Sequence, residues 1–289
     1  MKTAQALFIA ACRLDVLVRK PGNVSLESPG HGMQAAQFIA SAQAAAVPLF
    51  ARGARVGERI ENAQAASWAA AGCNTNLGIL LLCAPLAAAV EIEAATNGSA
   101  SLQAAVEAVL AGLDVADARA AYRAIAAANP GGLGHSSAQD VRDAPSIDLR
   151  AAMKLAAPRD SIARQYANGF ADLFELAESL HESGFSLMAD HMIDSVDAVT
   201  ASQVQRVFLN ALVRWPDSHI VRKHGEAVAQ TVMAAAQPWL AQAEAGADPR
   251  FLAWDEALKA ARINPGTSAD LTVAALFLGA LQHRSWHGS

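Results

Sequence analysis

The sequence predicts an all-α protein, a single multi-helix bundle with polar loops gathered at one end. Two observations carry this expectation. Hydrophobic residues make up 53% of the 289 positions and alanine, the best helix former, dominates them, while aromatic residues are only 6%. Apolar positions recur three and four apart, and no run alternates as a strand would. The length suits one domain spanning 1–289.

The first helix is expected over 4–18, where Leu7, Phe8, Ala11, Leu14 and Val18 share a face. Pro21 ends it, because proline disfavours helical geometry in the residue before it. A long loop follows, and helix resumes over 33–50, kinked at Pro48, and over 56–71. Gly72 breaks the chain, and Asn74, Thr75 and Asn76 can cap the next helix, 77–90. Helices over 102–110 and 115–128 lead to a glycine-rich and polar stretch reaching to about 148, long enough to read as functional or disordered. The second half reads as helices over 149–156, 161–182, 190–196, 201–215, 220–243 (interrupted near Pro238), 249–261 and 269–282.

Net charge is −5, from 22 Lys and Arg against 27 Asp and Glu, which argues against a general grip on nucleic acid. An anionic ligand would need a local cluster of basic groups and backbone N–H. Cys12, Cys73 and Cys83 form no C-x-x-C pair and are odd in number, so a reducing cytoplasm is the simplest location. Charges at Arg13, Asp15, Arg19 and Lys20 cut short the apolar N-terminus, and the run 77–90 is too short to span a bilayer, so no membrane segment is expected. A weakly charged, alanine-rich surface makes a homodimer plausible. Neither G-x-G-x-x-G nor G-x-x-x-x-G-K-[ST] occurs, which removes support for Rossmann and P-loop nucleotide sites.

Five polar segments interrupt the apolar helices. In the first, Lys20 adjoins Pro21, Gly22 and Asn23, with His31 downstream; an ammonium beside a rigid turn with accessible N–H groups suits an anion. In the second, Asn74, Thr75, Asn76 and Gly78 open a strongly apolar helix, whose free N–H groups and dipole favour phosphate. The third is 131–137, followed by Asp140 and Asp143, whose carboxylates suit magnesium. The fourth crowds Asp217, His219, Arg222, Lys223 and His224 into a short span, with Arg222 and Lys223 as phosphate ligands. The fifth is Asn264 to Leu271, with Gly266, Thr267, Ser268 and Asp270 at the start of the last helix. Each also has a plain reading as a helix cap, a solvated loop or a charged helix start. Arg159, Asp160 and Arg164 read as an ion-pair set within one helix.

Four of these segments, in order, resemble the triphosphoribosyl-dephospho-CoA synthase family. The resemblance rests on Lys20-Pro21-Gly22-Asn23-Val24 with His31-Gly32-Met33, Phe38 and Ser41-Ala42, and on Thr75-Asn76-Leu77-Gly78. It continues with Pro216-Asp217-Ser218-His219-Ile220 and Pro265-Gly266-Thr267-Ser268-Ala269-Asp270-Leu271. The chain departs from the citrate-lyase branch at Thr75-Asn76-Leu77-Gly78 and Gly22-Asn23-Val24-Ser25, and looks closer to archaeal and methylotroph members.

The resemblance implies an all-α fold and transfer of a triphosphoribosyl group from ATP to dephospho-CoA, with adenine released. An alternative acceptor is a precursor of a methanopterin-type C1 cofactor. A nucleotide hydrolase and a non-catalytic helical binding protein are the rival classes. On the transferase reading, Lys20, Arg222 and Lys223 hold the triphosphate, and Gly22, Asn23, Asn74, Thr75, Asn76, Gly78, Gly266 and Ser268 complete the ATP site. Asp217, with Asp140 or Asp270, holds Mg2+, Asp217 serves as base or metal ligand, and His219 or His31 protonates adenine. Asp217→Asn is then expected to reduce turnover greatly and leave the fold intact.

Overall fold

The computed structural model describes residues 1–96, 101–128, 139–187 and 195–284, with side chains described to Gln282. Fourteen α-helices and no strand occur among the described residues, as the composition predicts; one isolated bridge pairs Gly30 with Met33. The N-terminal half comprises α1 (Lys2–Leu17), α2 (Ala35–Leu49), α3 (Val56–Ala71), α4 (Leu77–Ala95), α5 (Leu102–Ala111) and α6 (Val115–Ala128). After it come α7 (Leu149–Ala156), α8 (Ser161–Asn168), α9 (Ala171–Glu182), α10 (Ala198–Arg214), α11 (Ser218–His224), α12 (Glu226–Ala236), α13 (Pro249–Ala260) and α14 (Gly266–Arg284).

Two helices form the spine. In α14, Val273 to Leu278 are completely buried, and the helix packs on α1, α4, α9 and α10. In α4, Leu80, Leu82, Cys83, Ala84, Leu86 and Ala87 are equally buried. α4 is 19 residues long, five beyond the expected end, and is the one helix among the described residues long and apolar enough to cross a bilayer; its apolar faces are packed inside the bundle. Pro85 lies inside it. A proline has no N–H, so the carbonyl four residues back loses its helical partner. That carbonyl, of Leu81, accepts instead from the buried Tyr166 hydroxyl of α8 at 2.6 Å, which ties α8 to the spine.

Three expectations about helix continuity are corrected. The single helix over 161–182 is two, because Gly169 (φ 71°) and Phe170 (φ 64°) both adopt the left-handed conformation and close α8 with a Phe170 N–H bond to Gln165 O at 2.8 Å. Burial of the Phe170 ring against Tyr166, centroids 5.6 Å apart, offsets the strain of a non-glycine residue there. The helix expected over 220–243 breaks at Gly225 (φ 86°, ψ 164°), a conformation reserved for glycine, and ends in a 3₁₀ turn, Gln237–Ala241, that begins just before Pro238. The helix expected from 33 starts at Ala35, since Met33 is held in the bridge to Gly30. Of the expected helix over 190–196, residues 190–194 lie outside the described residues, as does the segment 131–137.

The N- and C-terminal loops meet. Gly22 (φ 78°) sits so close to residues 263–265 that a Cβ there would lie 2.8 Å from Ile263 O and Pro265 Cδ. Asp255 of α13 accepts from Gly22 N (2.8 Å), Arg19 Nε (2.6 Å) and Lys259 Nζ (2.9 Å). Asn23 donates to Asn264 Oδ1 at 2.7 Å. These contacts bring the first and fifth polar segments together.

Candidate active site

The polar segments surround a cavity of about 590 Å³, within the size range of small-molecule sites. One wall is polar: Asn23 and His31 from the first loop, Asn74 to Gly78 at the start of α4, His219, Arg222 and Lys223 of α11, and Gly266 and Asp270 of α14. The other is largely apolar and comes from α6, α7 and α8, with Ile125, Met153, Leu155 and Ile162.

Twelve of the sixteen residues singled out from sequence line this cavity. Lys20, Gly22, Asp217 and Ser268 do not, and the structure gives each another task. Lys20 is completely buried, with its ammonium paired to Asp15 (3.0 Å) and bonded to the carbonyls of Asp15 and Val18. Gly22 makes the turn against Pro265. Asp217 caps α11, accepting from the N–H groups of His219 (2.9 Å) and Ile220 (3.1 Å), while its other oxygen accepts from the N–H and hydroxyl of Ser268. Burial pushes the Asp217 pKa up, and the bonds from Ser268 and Ile220 oppose it. The carboxylate is thus a joint between the starts of α11 and α14.

His219 is strongly perturbed on the polar wall. Burial, with the positive charges of Lys223 and Arg222 next in order, lowers its pKa to about 3, so its ring is neutral at physiological pH. For His219 to protonate adenine, as expected from the sequence, ligand charge would have to raise that value. His31 (φ 55°) is also pushed down by burial, and its Nε2 is engaged with Gly22 O at 2.7 Å. Arg222 Nη1 pairs with Asp160 Oδ2 at 2.7 Å, and Lys223 is exposed at the cavity with no ion pair among the described residues.

Asp270 forms part of the lining, and its carboxylate has no hydrogen bond among the described residues. Its pKa is raised well above the ordinary value, first by burial and then by the negative charges of Asp15 and Asp217. Gly78 leaves room for it: a Cβ on Gly78 would lie 2.0 Å from Asp270 Oδ2 and 2.7 Å from Ile162 Cδ1. Asp140 lines the cavity too, but accepts from the backbone and guanidinium of Arg142.

Sequence reasoning passed over Asp15, Asp160 and Arg159 as cavity residues, and gave no role to Asn264 of the fifth segment, which also lines the cavity. Asp15 carried a signal: it continues the Ala11, Leu14 and Val18 face of α1, where a charge is out of place. The expected ion-pair set Arg159–Asp160–Arg164 is not formed. Asp160 caps α8 and pairs with Arg222, and Arg164 pairs with Asp172 at 2.9 Å.

Five side chains of the cavity lining each hold a buried polar atom without a hydrogen-bond partner: Asn23 Oδ1, Asn76 Nδ2, His219 Nε2, Arg222 Nε, and Asp15 Oδ1, which is ion-paired with Lys20. Such atoms cost free energy unless water or a ligand satisfies them. Unpaired polar atoms, two cationic side chains of α11 and the Asp270 carboxylate thus share one cavity of the helical bundle, the candidate site for an anionic ligand. The chain belongs to the ATP:dephospho-CoA triphosphoribosyl transferase (CitG) family, whose sequence pattern matches residues 1–289. It is therefore a transferase that moves a triphosphoribosyl group from ATP to dephospho-CoA, releasing adenine; the C1-cofactor, hydrolase and binding-protein readings are not favoured. A solved structure from Archaeoglobus fulgidus, described as a candidate triphosphoribosyl-dephospho-CoA synthase, shares the fold with a TM-score of 0.61 at 23% identity, over 84% of this chain and 98% of that one. No protein of curated function matches the chain.

Proposed function

We propose that the cavity holds the ribose and triphosphate of ATP against its polar wall, with Arg222, Lys223 and Arg159 on the phosphates. The observation that supports this most directly is the convergence of unpaired Asn23, His219 and Arg222 atoms with these cations on one opening. Lys20 and Asp217 shape the site from behind it.

Magnesium fits as a companion of the triphosphate. Among the described residues no group of three or more His, Cys, Asp or Glu side chains is placed to cage a metal. Magnesium commonly binds through one or two carboxylates plus substrate phosphates, and Asp270 is the cavity carboxylate left without a hydrogen bond. When bound, the ion would neutralise phosphate charge.

His219 is assigned as the acceptor of the substrate hydroxyl proton. Its ring is neutral and its Nε2 unpaired, and phosphate charge beside Lys223 and Arg222 would make it more basic. The new C–O bond forms at the anomeric carbon as the C–N bond to adenine breaks. The hydroxyl proton passes to His219, and adenine leaves with the electron pair and takes up one proton. The transition state resembles an oxocarbenium ion, as in glycoside cleavage.

A cytoplasmic location accords with the three free thiols. A homodimer accords with α2, which carries no charged residue and leaves Val47 68% exposed. The test of the binding site is thermal stabilisation by Mg-ATP. Stabilisation of the native chain, lost in an Arg222→Ala/Lys223→Ala double variant, supports the assignment; equal stabilisation of both moves the triphosphate elsewhere.

A further inference from the structure

We infer that Thr75 and Asn76 form an acceptor–donor pair that reads the hydrogen-bonding edge of an adenine base, and that two buried serines orient it. The inference rests on the transferase reading. Asn76 occupies the N-cap of α4, where an asparagine ordinarily accepts from the helix N–H groups, yet its side chain makes no capping bond. Asn74 does that work, accepting from Leu77 N at 3.2 Å. The Asn76 amide is held by α3 instead: Ser67 Oγ donates to Asn76 Oδ1 at 2.6 Å. Ser67 is completely buried and Asn76 is 3% exposed, so the amide is fixed with Nδ2 unpaired.

The neighbouring residue is fixed in the same way by α2. Ser41, also completely buried, donates its one hydroxyl proton to Phe38 O at 2.9 Å. It therefore accepts from Thr75 Oγ1, at 2.7 Å. With its own proton spent on Ser41, Thr75 offers the cavity lone pairs. The start of α4 presents an acceptor and a donor side by side, with the Phe38 ring also in the lining.

Phosphate oxygens only accept, so they match Asn76 and not Thr75. The edge of adenine carries an amino donor beside a ring-nitrogen acceptor and matches both. Phe38 supplies a face for stacking. The base belongs either to ATP or to dephospho-CoA, and the chemistry read is the same.

The test compares ATP with purine riboside triphosphate, which lacks the amino group, by thermal-shift titration and by KM. The native chain should prefer ATP by about tenfold, the worth of one hydrogen bond to a partly buried acceptor. Thr75→Val should weaken ATP to the level of the analogue and leave the analogue unchanged. Ser41→Ala, a change in a positioning residue, should reduce the preference in the same direction. A packing defect would instead weaken both ligands equally. The same pair of ligands built on dephospho-CoA locates the base: loss of preference with either substrate supports the inference. Equal weakening of amino and non-amino ligands with both substrates overturns it. So does discrimination that follows the ribose hydroxyls of 2′-deoxy-ATP, or weaker inhibition by inorganic triphosphate in Thr75→Val. Absence of adenine release by the native chain would fail the transferase reading alone, since the thermal-shift comparison does not depend on turnover.

Discussion

The carboxylate of Asp217 accepts both the backbone N–H (2.7 Å) and the hydroxyl (2.8 Å) of Ser268, fastening the first turn of α11 to the first turn of α14. Every bond it makes comes from a donor. Asp217→Asn therefore turns an amide NH2 toward N–H and O–H groups. We expect a loss of about 1–3 kcal/mol in stability, read as a lower Tm. Remaining activity should fall mainly because His219 and Gly266 shift with the joint. An unchanged Tm with abolished turnover would restore Asp217 to the chemistry.

Asp270 should show the opposite sign. Its raised pKa means the folded chain binds a proton more tightly than the unfolded chain, so stability falls as pH rises from about 3.8 through the raised value. Asp270→Asn removes that cost. The variant should melt higher than the native chain at neutral pH, lose the advantage below pH 4, and lose most turnover. Thermal melts across pH with matched kcat values check this. Lower stability at neutral pH would contradict it.

Gly78→Ala is expected to displace the Asp270 carboxylate, since its Cβ would meet Oδ2 at 2.0 Å. Turnover should fall at least tenfold, an estimate of the cost of misplacing a reacting group. Alanine is the better helix former, so a higher Tm with full activity would show that the site relaxes freely.

Arg222 and Lys223 should differ. Arg222 is tied to Asp160 and partly buried, so Arg222→Ala should raise the KM for ATP by about tenfold or more. Lys223 is exposed, so Lys223→Ala should cost less, and the cost should shrink as salt is added. Titration of ATP KM against ionic strength separates the two.

Much of the bundle was legible because helix periodicity and proline and glycine stops are local signals. The starts of α3, α4, α5, α6 and α7 fall where caps and breaks predicted them. The division between α8 and α9 was not legible, since it depends on Phe170 accepting a left-handed backbone in return for contact with Tyr166. The site was legible as a set of polar interruptions, which is why most of them meet at one cavity. Roles were not. Whether Lys20 faces a ligand or Asp15, and whether Asp217 faces a ligand or Ser268, is decided by partners distant in sequence or folded behind the loop. Residue type alone makes both look functional.

The central claim is transfer, and adenine release tests it most directly. Purified chain, ATP and magnesium are incubated with and without dephospho-CoA, adenine is quantified, and the product is weighed by mass spectrometry. The expected result is adenine release that depends on dephospho-CoA, with one adenine formed for each product carrying the added triphosphoribosyl mass. Equal release without the acceptor, or phosphate release in place of adenine, would contradict it.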